Sequence, residues 1–150
     1  MKLLFGVDPV NWEDTEEQLH KYVPLEKALR CFDSKALGIL EMMLPHVNHG
    51  YQNYLVDFKV RNLAKGQPGC PVPGWHYDCV RDKNHPSREE HHLLYTNIDG
   101  TLFLCEDGRY IKAGDSQVWE YGRELHCAPF MVANCKRVLI RLTGTDSVIK

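Results

Sequence analysis

Two residues apart in the chain, His76 and Asp78 pair an imidazole with a carboxylate, and His126 follows 50 residues after His76. On a strand, positions i and i+2 leave the same face, so His76 and Asp78 project side by side while Trp75 and Tyr77 leave the other. An imidazole and a carboxylate offered together can take adjacent positions on a divalent metal. A histidine from a second strand then completes one triangular face and leaves the opposite positions open. That is the two-histidine, one-carboxylate facial triad of non-haem Fe(II) centres. His76, Asp78 and His126 are therefore the candidate metal ligands and the candidate catalytic centre. Cys70, His76, Cys79 and His85 make a competing zinc-type set within 16 residues. Cys79 lies three positions from His76, so a strand would send the two to opposite faces and only a loop would permit that set.

Arg137 and Arg141 lie 11 and 15 residues after His126. With Leu139 they share one face of a predicted strand, and Val138, Ile140 and Leu142 share the other. The apolar set suits a packed outer face, which would turn the arginines into the interior. A guanidinium there needs an anion, and its planar fork matches a carboxylate through two bonds. The competing reading is an edge strand with both arginines in solvent.

The elements that would position these groups change character near residue 50. Residues 1–50 read as helical: Asp14-Thr15-Glu16-Glu17 is an acidic start with Leu19, Tyr22 and Val23 behind it, and Pro24 interrupts. Asp33 and Ser34 cap a second helix whose Leu37, Leu40, Met43 and Leu44 form an apolar, core-facing stripe ended by Pro45. From Tyr51 the period becomes two. Tyr54, Val56, Phe58 and Val60 alternate with Asp57, Lys59 and Arg61; the charged set is expected to be a solvated face, the alternative being that Lys59 and Arg61 reach an anionic substrate. Short strands are predicted at 75–80, 91–96, 101–104, 117–121 and 136–143, punctuated by Asn97-Ile-Asp-Gly100, Glu106-Asp-Gly108 and Ala113-Gly-Asp115. Trp75 and Trp119 are expected in the core. The fold class is α+β, a single domain over 1–150, with N-terminal helices packed on an antiparallel β-barrel or double sheet.

Composition sets the outer limits. The chain has 150 residues, 43% hydrophobic and 25% charged, with a formal net charge of −2, as in an ordinary globular domain. That charge does not indicate nucleic acid as a partner. No stretch approaches the roughly 18 apolar residues of a membrane span, and the N-terminal apolar run is too short for a signal peptide. A cytoplasmic location is expected. The six cysteines contain no C-x-x-C pair, and most are expected to be reduced, buried small hydrophobes.

Several stretches resemble the Fe(II)/2-oxoglutarate-dependent oxygenases, a double-stranded β-helix (jelly-roll, cupin-like) family, and most closely its small phage-type members. Val56-Asp-Phe-Lys-Val-Arg-Asn-Leu63 and Pro71-Val-Pro-Gly-Trp-His-Tyr-Asp78 resemble the strand and entry loop that carry the H-x-D motif. His91-His-Leu-Leu-Tyr-Thr-Asn97 with Gly100-Thr-Leu-Phe-Leu104 resembles the central hairpin, and Leu125-His-Cys-Ala-Pro129 the distal-histidine strand. Cys135-Lys-Arg-Val-Leu-Ile-Arg141 resembles the strand bearing the cosubstrate arginine. The resemblance covers about 51–143. It implies Fe(II) and 2-oxoglutarate as cofactors, the latter a small-molecule cosubstrate anchored by Arg137, with Arg141 as a second clamp or substrate contact. Tyr95, Thr96 and Asn97 follow a predicted strand, where one of them, with Asn97 as the candidate, is expected to hydrogen-bond the cosubstrate, and strand-end turn chemistry is the equal alternative. The pattern departs at Leu139, where the family often has Ser or Thr, and in the short chain, which leaves the N-terminal helices and the loop 81–90 to cover a site. The implied activity is hydroxylation of an unspecified substrate. The alternative is an inactive β-barrel binding or structural module with a vestigial or stabilising metal site.

Overall fold

Residues 1–70, 74–77, 90–122 and 124–146 are described in a computed structural model. Among them run β1 (Lys2–Gly6), β2 (Gln18–Pro24), α1 (Leu25–Cys31), α2 (Ser34–Met43), β3 (Asn53–Leu63), β4 (Glu90–Thr96), β5 (Leu102–Leu104), β6 (Tyr110–Lys112), β7 (Gln117–Tyr121), β8 (Leu125–Cys127) and β9 (Cys135–Thr145). No helix among these residues is long and apolar enough to cross a membrane.

The alternation that begins at Tyr54 becomes β3, which pairs with β9 over eleven consecutive rungs, from Asn53 opposite Thr145 to Leu63 opposite Cys135. β9 also pairs with β4, and the large sheet runs β1-β7-β4-β9-β3-β2. A small sheet runs β6-β5-β8, and a backbone bridge from His76 to His126 sets the His76 segment beside β8. From β3 onward the chain therefore shuttles between sheets: large, small at His76, large at β4, small at β5 and β6, large at β7, small at β8, large at β9. This shuttling makes a β-rich, two-sheet arrangement of the jelly-roll kind. Leu94 and Tyr121 from the large sheet meet Phe103 from the small one, so the two inner faces touch.

The N-terminal fifty residues are not the helical block that the sequence predicts. Two strands there extend the large sheet at its two edges. The stretch predicted as the first helix contains β2, which pairs Gln18 with Val60, Leu19 with Lys59 and His20 with Phe58. The register then shifts before Val23 meets Val56, and Tyr22 inside the shift takes a φ of 54°. Such a bulge breaks the two-residue period, and over so short a run the apolar positions fit a helical spacing equally well. β1 carries a register shift of its own, between Leu3 and Phe5.

α2 forms as the sequence predicts. The Asp33 carboxylate accepts the Ala36 N–H at 3.0 Å, and Ala36, Ile39, Leu40 and Met43 form the buried stripe. With Ala28 and Phe32 they pack on Val56, Phe58 and Val60 of β3 and on Val138, Ile140 and Leu142 of β9. Each buried Val, Leu, Ile, Phe or Met side chain of this set stabilises the fold by about 1.5–3 kcal/mol. The helices thus cover the outer face of the large sheet, and the inner face is left for the site.

Candidate functional site

β8 and the bridge beside it bring two of the three predicted ligands together. The His76 N–H donates to the His126 carbonyl at 2.8 Å, and the His126 N–H donates back to the His76 carbonyl at 2.9 Å. This is a hydrogen-bonded antiparallel pair, which places both side chains on one face. The ring centroids stand 4.6 Å apart, near edge-on. Nδ1 of His76 lies 3.0 Å from the Gly74 carbonyl, and Nδ1 of His126 lies 3.0 Å from the Glu124 carbonyl. A carbonyl only accepts, so each neutral ring carries its hydrogen on Nδ1 and its lone pair on Nε2. That tautomer suits metal ligation through Nε2, with the outer nitrogen held by the backbone. His126 is buried and packs against Phe103 and Tyr121.

Asp78, Cys79 and His85 lie outside the described residues, as does the loop before Glu90. Of the strand predicted at 75–80, the described part is the single bridge at His76. Among the described residues no three His, Cys, Asp or Glu side chains gather into a metal-holding group. Trp75 is not core: it is 43% exposed and rests against the Tyr110 ring at 5.6 Å.

Both arginines face the space between the sheets, opposite the apolar residues with which they alternate. They line, with His76 and His126, one cavity of about 600 Å³. Their states differ. Arg137 is buried; its Nε donates to the Asp99 carbonyl and its Nη1 to the Gly69 carbonyl, each at 3.2 Å, and its Nη2 has no partner. Burial pulls its pKa below the ordinary arginine value; Asp99 opposes that pull and Arg61 adds to it. Arg141 stands opposite Asp57 in register and donates from Nε and Nη2 to Asp57 Oδ2, at 3.1 and 2.8 Å. Asp57 is fully buried, and its Oδ1 accepts the Tyr22 N–H at 3.1 Å. Arg141 thus lines the cavity as an ion pair with Asp57, and through Asp57 it is tied to the β2 bulge.

Asn97 bonds to the backbone of β9. Its Nδ2 donates to the Lys136 carbonyl at 2.9 Å and its Oδ1 accepts the Val138 N–H at 2.7 Å, which prolongs the β4–β9 pairing beyond Thr96. It does not line the cavity. Tyr95 points to the helix side, where its hydroxyl accepts Trp12 Nε1–H at 3.1 Å.

Lys59 and Arg61, predicted as a solvated face, line the cavity instead. Among the described residues, Lys21, Lys59, Arg61, Arg137 and Arg141 make five cationic lining residues against one acidic one, Glu17. A space with that excess favours an anionic occupant. Gly69 and Tyr22 carried no signal in the sequence. Asp57 did: an acid in the middle of a strand, on the face it shares with two cations.

No family model matches the chain, and no curated protein matches it. Among solved structures it is similar to the Clostridium difficile EutQ protein, at 14% identity over 94% of this chain and 79% of that one, with a TM-score of 0.29.

Proposed function

We propose that the protein is a non-haem Fe(II)/2-oxoglutarate-dependent oxygenase, a hydroxylase in which His76, His126 and Asp78 hold iron and Arg137 holds the distal carboxylate of the cosubstrate. The observation that carries this reading is the His76–His126 pair, joined backbone to backbone, in the tautomer of an Nε2 ligand, on the same cavity as Arg137. The unpartnered, buried Nη2 of Arg137 fits an anion that would complete it. Iron bound with 2-oxoglutarate would supply oxygen activation and hydroxylation of a substrate C–H bond. The chain's own residues hold and exclude. The Gly74 and Glu124 carbonyls fix the two imidazoles, Arg137 orients the dicarboxylate, and Leu94, Tyr121 and Leu139 form an apolar wall that limits water.

Addition of Fe(II) and 2-oxoglutarate without oxygen is expected to produce a visible charge-transfer band that His76→Ala removes and Arg137→Gln weakens. No band in the unaltered protein overturns the reading. One observation favours the second reading, a binding module whose metal site merely stabilises it. Leu139, at the position where the family often has a hydroxyl, lines the cavity and offers no hydrogen bond to a cosubstrate. Succinate formation coupled to oxygen uptake would eliminate that module.

A further inference from the structure

Arg61 and Arg137 stand directly opposite each other in the β3–β9 register. Like charges in such a position repel, yet these two converge: Nη1 of each donates to the same oxygen, the Gly69 carbonyl, at 3.2 Å. Gly69 is held in place by its own N–H, which donates to the Pro129 carbonyl at 3.0 Å. A Cβ added there would stand 3.1 Å from Arg137 Nη1, so the close approach suits a residue without a side chain. One neutral carbonyl does not offset two cations. Of the described carboxylates nearby, Asp57 is bonded to Arg141 and Glu17 to the Asn62 N–H, while Asp99 offsets part of the Arg137 charge and also lies 3.9 Å from Lys112, so one carboxylate is shared among several cations.

The donor count sharpens this. Nε and Nη1 of Arg137 are engaged, which leaves Nη2 as its one nitrogen without a partner. Both N–H groups of Nη2 and the second hydrogen of Nη1 remain for an oxyanion, and a neighbouring guanidinium widens that donor set beyond a single fork. Arg61 is half-buried, lines the same cavity and holds its guanidinium against the same carbonyl. Lys59, two residues earlier on that face, has leucines as its cross-strand neighbours, Leu19 and Leu139, and adds to the positive field.

We propose that Arg61 and Arg137 form a single two-guanidinium clamp that grips one oxyanion group, a carboxylate or a phosphate, of the small molecule that occupies the cavity. The clamp rests on the preceding reading only in sharing Arg137 with it; what it adds is Arg61 as a ligand-binding residue of equal weight. The bound anion offsets the repulsion between the two guanidiniums, so binding stabilises the β3–β9 pairing.

The test is calorimetric titration of the metal-free, full-length protein with 2-oxoglutarate, succinate and inorganic phosphate in turn. At least one of these is expected to bind and to raise the melting temperature. Arg61→Gln and Arg137→Gln should each weaken it about tenfold or more, as expected for loss of a charge-assisted hydrogen bond. The double variant should be little worse than the weaker single one, because both side chains serve one anion. Gly69→Ala keeps both charges and displaces the guanidinium, and should weaken binding by a smaller factor. Circular dichroism of each variant separates lost binding from lost folding, and Arg61→Lys replaces Arg61→Gln if the latter fails to fold. Binding of dicarboxylates but not phosphate, or of phosphate alone, supports the clamp and names its ligand. Affinity within twofold of the original in Arg61→Gln, full additivity in the double variant, or no binding of any of the three anions overturns it. A missing charge-transfer band with intact anion binding would refute the oxygenase reading and leave the clamp standing.

Discussion

The two faces of the β3–β9 ladder share one backbone and have opposite chemistries. On the helix side, Val56, Phe58, Val60, Val138, Ile140 and Leu142 are at most 2% exposed and form the main core. On the cavity side the rungs read Asp57 with Arg141, Lys59 with Leu139, and Arg61 with Arg137. The helix face gains stability from burial, which is insensitive to charge. The cavity face places two cations opposite each other and leaves a buried guanidinium nitrogen unmatched, features that cost stability in the absence of a ligand. A strand can carry both faces because its two-residue period keeps them apart.

That separation can be broken by substitution. Phe58→Ala should lower stability by about 3–5 kcal/mol, as for a large core ring, measured by denaturant unfolding, and leave anion affinity of the folded protein unchanged. Asp57→Ala should cost about 3 kcal/mol, since it strands the Arg141 charge in a largely buried position. Unlike Phe58→Ala it should also alter anion binding, because the β2 bulge loses its anchor; equal anion affinity would show that the two faces are more independent than the Asp57 contacts imply. His76→Ala, at a half-buried position, should shift stability by no more than about 1 kcal/mol, while divalent-metal affinity falls by about 100-fold or more. Unchanged metal affinity would remove His76 from the site.

The smallest effect concerns the hydroxyl at the helix side. Burial raises the Tyr95 pKa from its ordinary 10.0, with the bonds to Trp12 and Ser116 acting against that rise. The folded protein keeps this proton after the unfolded chain has begun to release it. The associated stability is therefore complete below pH 10 and is lost as the pH rises through the tyrosine range. Tyr95→Phe should flatten that alkaline decline and lower neutral-pH stability by about 1 kcal/mol through the lost bond to Trp12.

Much of this was readable from residue order, and the exceptions have physical causes. β7 occupies 117–121 as predicted, and α2 follows from the Asp33 cap and its apolar stripe. The inward turn of Arg137 follows from the apolar residues on either side of it. β2 escaped because its bulge destroys the alternation by which strands are recognised. β6, at three residues, is too short to show a period. Lys59 and Arg61 show a different limit: alternation tells which residues share a face and not whether that face meets water or another sheet. Asn97 stayed open in the sequence because a strand-end amide can serve a ligand or the neighbouring backbone, and the backbone bonds to β9 appear only in the fold.

The register shifts in β1 and β2 have a consequence for how copies of this chain behave together. These are the two outermost strands of the large sheet, the places where unpaired backbone donors and acceptors invite another molecule to add itself rung by rung. Each is kinked partway along, β1 after Leu3 and β2 around Tyr22. A kinked border offers an incoming strand no straight template, so the irregularity that disguised β2 in the sequence also guards a six-stranded sheet against edge-to-edge growth.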